Sequence, residues 1–145
     1  MRSTVTMLAM GILAATSGCA ETVTGELLLR DGSGPAEVIA PSECLSGEDL
    51  LLFGVDMFDE DEDWMIRFFH DPLEGPVVQV FPPSDEAPHL FTPDVCTEFR
   101  GELRRREVQD EDRGEYGVMY GSLRLQCEAL GTTLEGKLDF EDCDE

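Results

Sequence analysis

Leu134-Glu135-Gly136-Lys137-Leu138-Asp139-Phe140-Glu141 alternates, residue by residue, between apolar or small side chains and charged ones. Successive side chains of a strand point to opposite faces, so a period of two predicts a half-buried strand with Leu134, Leu138 and Phe140 on its inner face. The same alternation occurs twice upstream. Phe99, Gly101 and Leu103 alternate with Glu98, Arg100, Glu102 and Arg104, and Leu123, Leu125 and Cys127 alternate with Ser122, Arg124 and Gln126. Polar turns containing Gly114 and Gly131 separate the three segments. Three such segments in succession predict an antiparallel meander with one face on a core and the other in water.

Further upstream the apolar runs are shorter and the turn signals denser. Leu27-Leu28-Leu29 ends at Asp31-Gly32-Ser33-Gly34-Pro35, and Val38-Ile39-Ala40 ends at Pro41. The run 50–58 contains Gly54 and β-branched and aromatic residues, which favour a strand over a helix. Trp64-Met65-Ile66-Arg67-Phe68-Phe69 and Val77-Val78-Gln79-Val80-Phe81 are two more strand candidates, separated by a turn at Asp71-Pro72-Leu73-Glu74-Gly75-Pro76. Pro82-Pro83-Ser84-Asp85-Glu86-Ala87-Pro88 reads as a stiff connector. No long stretch of this region has a period of 3.6, and no internal repeat of fixed length is present. The expectation is an all-β domain of about eight short strands, an antiparallel β-sandwich or a partly closed barrel.

The amino-terminal segment is of a different kind. Arg2 precedes the apolar run Val5-Thr6-Met7-Leu8-Ala9-Met10-Gly11-Ile12-Leu13-Ala14-Ala15, and Thr16-Ser17-Gly18-Cys19 follows. A positive start, a short apolar stretch and small residues are the layout of a secretory signal peptide. The run is shorter than the ~20 apolar residues needed to span a bilayer. Ser17-Gly18-Cys19 resembles the lipobox of bacterial lipoproteins, although Thr16 stands where that motif usually has Leu. The resemblance implies cleavage after residue 18 and a lipid attached to Cys19. Ala20 in the next position resembles lipoproteins forwarded to the outer membrane. The domain expectation is therefore a leader at 1–18, a lipidated tether at 19–26 and the β domain at 27–145.

With Cys19 carrying lipid, Cys44, Cys96, Cys127 and Cys143 remain, an even set that in an exported chain reads as two disulfides. A hairpin turn at Leu130-Gly131 sets Cys127 opposite residue 134 and Cys143 opposite residue 118. That leaves the two cysteines ~30 Å apart along the sheet, beyond the ~7 Å that a bridge spans between Cα atoms. A turn around Glu111-Asp112 brings Cys96 against Cys127 at the open end of the preceding hairpin. The expected bridges are thus Cys96–Cys127 and Cys44–Cys143. Cys96 is out of phase with Phe99, Gly101 and Leu103, so this pairing needs a bulge. No Cys-x-x-Cys pair exists, and the only histidines are His70 and His89, so a zinc site of ordinary spacing is unsupported.

Acidic residues number 32 against 10 basic ones, for a net charge of −22. Such a surface repels nucleic acid and anionic headgroups. Asp59-Glu60-Asp61-Glu62-Asp63 begins like an EF-hand loop, but Trp64 stands where that loop needs Gly and His70 where it needs Glu. A looser calcium site on Asp59, Asp61 and Asp63, with Asp56 nearby, is the remaining metal candidate, set against a plain solvated turn. Arg104-Arg105-Arg106 is flanked by Glu102 and Glu107, which suits cross-strand pairing and a protected sheet edge. Ser46, His70 and His89 are the residues from which a hydrolase would draw a nucleophile and a base. None lies in a nucleophile-elbow motif, and no spacing links them. Trp64, Phe68, Phe69, Phe81 and Phe91 could line an aromatic groove or form the core.

Several elements, Cys44-Leu45-Ser46-Gly47, Phe53-Gly54-Val55-Asp56, and the stretch from Gly121-Ser122-Leu123 through Cys127 to Cys143, resemble a group of small lipoproteins familiar from myxobacterial genomes. That resemblance implies no activity. The functional expectation is a lipid-anchored, non-enzymatic envelope or surface protein with a binding or structural role and a protein or glycan partner. A calcium-dependent adhesion or carbohydrate-binding module is the alternative, and a hydrolase comes third.

Overall fold

The computed structural model describes residues 22–47, 52–59, 61 and 63–144; the leader, Cys19, the start of the tether, residues 48–51, Glu60, Glu62 and Glu145 lie outside the described residues. Ten strands account for most of the rest. They are β1 (Val23–Asp31), β2 (Glu37–Ile39), β3 (Glu43–Ser46), β4 (Gly54–Phe58), β5 (Met65–Asp71), β6 (Gly75–Phe81), β7 (His89–Phe91), β8 (Cys96–Asp110), β9 (Gly114–Ala129) and β10 (Thr132–Cys143). One sheet has the order β2-β1-β10-β9-β8 and the other β3-β4-β5-β6-β7. All neighbours within each sheet are antiparallel. Neither sheet closes on itself, so of the two architectures expected the β-sandwich is the one formed.

The two strands beyond the expected eight are β3 and β7, the edges of the second sheet. With four and three residues they are too short to display a period, and β7 follows a proline-rich stretch that masks it. The strand expected over 50–58 begins at Gly54 in the described residues. The tether expected over 19–26 is shorter than that: β1 starts at Val23, which is buried and pairs with Phe140. Polar Thr24, Gly25 and Glu26 disguise this start, because they occupy the exposed positions of a strand whose inner residues are Val23, Leu27 and Leu29.

The core lies between the sheets. From the first sheet it takes Val23, Leu27, Leu29, Leu123, Leu125, Leu134, Leu138 and Phe140, and from the second Val55, Met57, Ile66, Phe68, Val78, Val80 and Phe91. Phe68 is the central contact, with its ring 6.4 Å from those of Phe99 and Phe140. It occupies the space a side chain at Gly101 would need: a Cβ built there meets the Phe68 ring at 2.4 Å. The glycine of β8 is therefore a recess in the first sheet that admits the largest side chain of the second.

Both disulfides form as expected. Cys96–Cys127 links β8 to β9 within the first sheet, and Cys44–Cys143 links β3 of the second sheet to the end of β10 in the first. The register matches the expectation at Cys127, which faces Leu134. It differs by one residue at Cys143, which faces Met119 rather than residue 118, because β10 bulges between Phe140 and Cys143. Around the second bridge the chain is well tied. The Cys44 N–H donates to Thr22 Oγ1 at 3.1 Å, and the Ser46 N–H donates to the Asp144 carbonyl at 2.8 Å.

Two hairpin turns share one design. Asp71 and Gly75 flank the β5–β6 turn, and Asp110 and Gly114 flank the β8–β9 turn. In each, three residues separate a partnered Asp and Gly, and the Gly has a positive φ, of 80° and 78°. The Asp71 carboxylate accepts from the N–H groups of Leu73 and Glu74 at 2.8 and 2.9 Å. Asp110 does the same for Asp112 and Arg113 at 2.8 and 3.0 Å. The β9–β10 turn is a two-residue loop, Leu130-Gly131, with φ of 51° and 81°.

Candidate functional site

The outward faces of the two sheets differ in chemistry. On the first sheet the outward residues include Glu26, Arg30, Glu98, Arg100, Arg124, Gln126, Glu128, Glu135, Lys137 and Asp139, a lattice of both signs interrupted near the β2 edge by Leu28 and by Val38, which is 56% exposed. Arg100 pairs with Glu98 at 3.4 Å and Lys137 with Asp139 at 3.1 Å. A shallow hollow of about 950 Å³ beside the Cys96–Cys127 bridge lies on this face, lined by Arg30, Glu128, Glu135 and Gln126 among others. These are the surroundings of a solvated sheet.

The second sheet carries large apolar side chains on both faces. Inward-pointing Val55, Met57, Ile66, Phe68, Val78 and Val80 alternate with outward-pointing Phe58, Met65, Phe69, Val77 and Phe81. None of those five belongs to the core cluster between the sheets; Phe58, Met65, Phe69 and Phe81 are half-buried and Val77 is buried. Among the described elements no strand lies over this face, since the other sheet packs on the opposite side, and its side chains shield one another. Leu45 and Leu90, at the two edges, are 43% and 52% exposed.

Strand register arranges these side chains in rows. Phe58, Met65 and Phe81 form one row across β4, β5 and β6, and Phe69 with Val77 forms another. Between them runs Leu45, Asp56, Arg67, Gln79 and Leu90, one residue from each of the five strands. Arg67 Nε donates to Asp56 Oδ1 at 2.7 Å, and a terminal Arg67 nitrogen donates to Oδ2 at 2.8 Å. This fork-to-fork geometry is the strong form of the pair. The hydrogen bond to Asp56 holds the Arg67 guanidinium above its ordinary pKa, against the opposing effect of burial. Arg67 also lies over the Phe81 ring at 5.5 Å.

The five aromatics expected to share a groove or a core are divided between the two. Phe68 and Phe91 are fully buried, and Trp64 packs against the core from its margin. Phe69 and Phe81 point outward. Phe68 and Phe69 are neighbours in sequence and therefore on opposite faces.

The acidic loop holds the residues of the candidate cation site. Asp59 Oδ1 accepts from the Asp63 N–H at 3.1 Å, closing the loop on itself. Asp61 and Asp63 are exposed. Asp56, the candidate fourth carboxylate, accepts one hydrogen bond from Arg67 on each oxygen. Among the described residues no group of three or more His, Cys, Asp or Glu is placed to hold a metal ion.

Ser46, His70 and His89 stand on β3, β5 and β7. Ser46 is level with Phe68 across the sheet, and His89 is level with Ile66. Alternate strands are ~10 Å apart and residues ~3.3 Å apart along a strand, so the register alone separates each pair by on the order of 10–20 Å. The structure does not bring these three residues together. The triple Arg104-Arg105-Arg106 lies on the edge strand β8, but of its ion pairs among the described residues only that of Arg106, with Asp142, crosses strands; Arg104 pairs with Glu102 and Arg105 with Glu107 two residues away along β8, where same-face neighbours of one strand are in reach.

The chain matches no family model, no curated protein and no solved structure.

The row Asp56, Arg67, Gln79 is the feature that the sequence reading passed over. A signal for it exists. Val55-Asp56-Met57-Phe58, Met65-Ile66-Arg67-Phe68-Phe69 and Val77-Val78-Gln79-Val80-Phe81 are each apolar in both phases except for a single polar residue. A strand apolar on both sides, with one polar break repeated in its neighbours, marks a sheet that has a second apolar face.

Proposed function

We propose that this chain is a lipid-anchored, non-enzymatic protein of a bacterial envelope, held through Cys19, that binds a partner on the outward face of its β3–β7 sheet. The observation that carries the binding reading is the contrast between the two outward faces. One is a charged lattice of both signs with Leu28 and Val38 at one edge, and the other is a contiguous set of half-buried large apolar side chains around a single ion pair, with exposed Leu45 and Leu90 at its edges. Contiguous exposed apolar surface on a soluble domain marks an interaction site. The separation of Ser46, His70 and His89 on three strands supports the non-enzymatic part of the reading. The leader ending in Ser17-Gly18-Cys19 and the pairing of the other four cysteines in two bridges support the anchor.

Two measurements test it. Expressed in a lipoprotein-competent bacterium, the protein should partition into detergent, and Cys19→Ser should move it to the aqueous phase; a wholly aqueous wild type removes the anchor. The Cys19→Ser chain should sediment with isolated envelopes of the source cell. Phe81→Ser should abolish this and Lys137→Glu, on the opposite sheet, should not. Equal sedimentation of all three removes the binding face.

A further inference from the structure

The binding face has a composition that narrows its ligand. Protein–protein patches are apolar at the centre and polar at the rim. Here the order is reversed. The central row is Asp56, Arg67 and Gln79, and the apolar side chains lie on either side of it. The Asp56–Arg67 fork uses Nε and one terminal nitrogen of the guanidinium. The other terminal nitrogen, and further lone pairs on both carboxylate oxygens, remain for a ligand, and Gln79 adds one donor group and one acceptor. The polar row therefore offers donors and acceptors together while its charges cancel.

Resting on the binding reading above, we propose that this face takes a neutral oligosaccharide. A sugar hydroxyl both donates and accepts, so a row of hydroxyls can pair with carboxylate, guanidinium and amide at once. The C–H faces of the rings would rest on Phe58, Met65 and Phe81. Other occupants fit less well. A lipid chain or an apolar peptide would strip water from Asp56 and Arg67 and return no hydrogen bonds. A nucleic acid or an acidic glycan is repelled by a net charge of −22. A second copy carries the same charge. The area is also small for a dimer: five strands span ~19 Å and the outer rows lie ~13 Å apart, on the order of 250–450 Å² in all, against ~800 Å² per partner in a stable protein complex.

The full chain, in a detergent free of sugar headgroups, should be titrated by calorimetry with hexasaccharides of glucose, mannose and N-acetylglucosamine. One of the three should bind one to one. Gln79→Ala and Phe81→Ala should each weaken that binding about tenfold, while Arg100→Ala on the other sheet leaves it unchanged. Thermal melts of the variants that match the wild type show that the fold is kept. The proposal is overturned if none of the three sugars binds, or if binding survives both substitutions. It is overturned equally by a concentration-dependent dimer that Phe81→Ala dissolves, which would give the face to a second copy. If envelope sedimentation depends on Phe81 but no sugar binds, the glycan fails and the binding face stands; if neither occurs, both fail.

Discussion

Cys96 lies directly across from Cys127, with Cα atoms 3.9 Å apart, because one extra residue is inserted beside it. From Glu98 to Asp110 the β8–β9 register is regular, and extended by one step it would place Thr97 against Cys127. A bulge at Thr97 moves Cys96 into that place, and the Thr97 hydroxyl reaches the Gln126 carbonyl at 3.2 Å. The two bridges differ in what they close. Cys96–Cys127 spans 31 residues of one hairpin, and Cys44–Cys143 spans 99 and joins the two sheets. Chain-entropy arithmetic gives about 3.7 kcal/mol for the first loop and about 4.7 kcal/mol for the second. Urea unfolding should therefore find the Cys44→Ser/Cys143→Ser variant less stable than Cys96→Ser/Cys127→Ser, by about 1 kcal/mol. The reverse order would show that the intersheet bridge does not restrict the unfolded chain as its length implies.

The fit of Phe68 against Gly101 makes a second prediction. The ring is fully buried, and a methyl group at residue 101 would meet it at 2.4 Å. Gly101→Ala should therefore destabilise by ~1–3 kcal/mol through overpacking, although alanine normally improves on glycine in a strand interior. Phe68→Ala should cost ~3–5 kcal/mol. In the double variant the clash disappears with the ring, so the two losses should sum to more than the measured total. Strict additivity of the two would place Phe68 elsewhere.

The first sheet was more legible in the sequence than the second, and the reason is physical. β9 and β10 have one wet face and one dry face, so Leu123, Leu125, Leu134 and Leu138 announce their side by alternation. In β5 and β6 both faces are apolar, and Met65-Ile66 or Phe68-Phe69 carries no mark of which residue turns inward. β3 and β7 are too short to show a period at all. The disulfide pairing was readable because turn chemistry at Leu130-Gly131 and at residues 111–113 sets the register between strands. The Arg67–Gln79 register follows from the turn between Asp71 and Gly75, but that of Asp56 with Arg67 spans the acidic stretch 59–63, which carries no turn signature, so the full row emerges only in three dimensions.

Among the described residues Leu130 is the one large apolar side chain at a positive φ, which its turn disfavours. Its φ is 51°, in the left-handed region that costs a branched or bulky L-residue ~1–2 kcal/mol. Its side chain is fully exposed and supplies no packing to offset this. With Gly131 at φ 81°, the loop has the positive angles of a type I′ turn, for which Asn-Gly is the favoured pair. Leu130→Asn should raise stability by about 1 kcal/mol, read as a shift of the denaturant midpoint with an unchanged slope. A loss of stability would mean that the exposed leucine makes a contact in solution.

Acid should act on the two Asp-capped hairpin turns. The N–H groups of Glu74 and Leu73 lower the pKa of Asp71, and those of Arg113 and Asp112 lower that of Asp110. A group whose pKa is depressed by folding contributes stability that is present above its unfolded value of about 3.9. That contribution is lost as pH falls through the lower folded value. Arg113, held above its ordinary pKa by its hydrogen bond to Asp144 at 2.8 Å, keeps its charge throughout that window. Protonation elsewhere on so acidic a surface relieves self-repulsion and works in the opposite direction, so the comparison must be between variants. Asp71→Asn/Asp110→Asn keeps an acceptor oxygen in each turn and removes the titration. Relative to this double variant, the wild type should be the more stable above about pH 5, and the gap should narrow below about pH 4 as the two carboxyls protonate. Melting temperatures measured from pH 7 to pH 2 decide it, and a gap that stays constant over that range would remove the two carboxylates from the acid response.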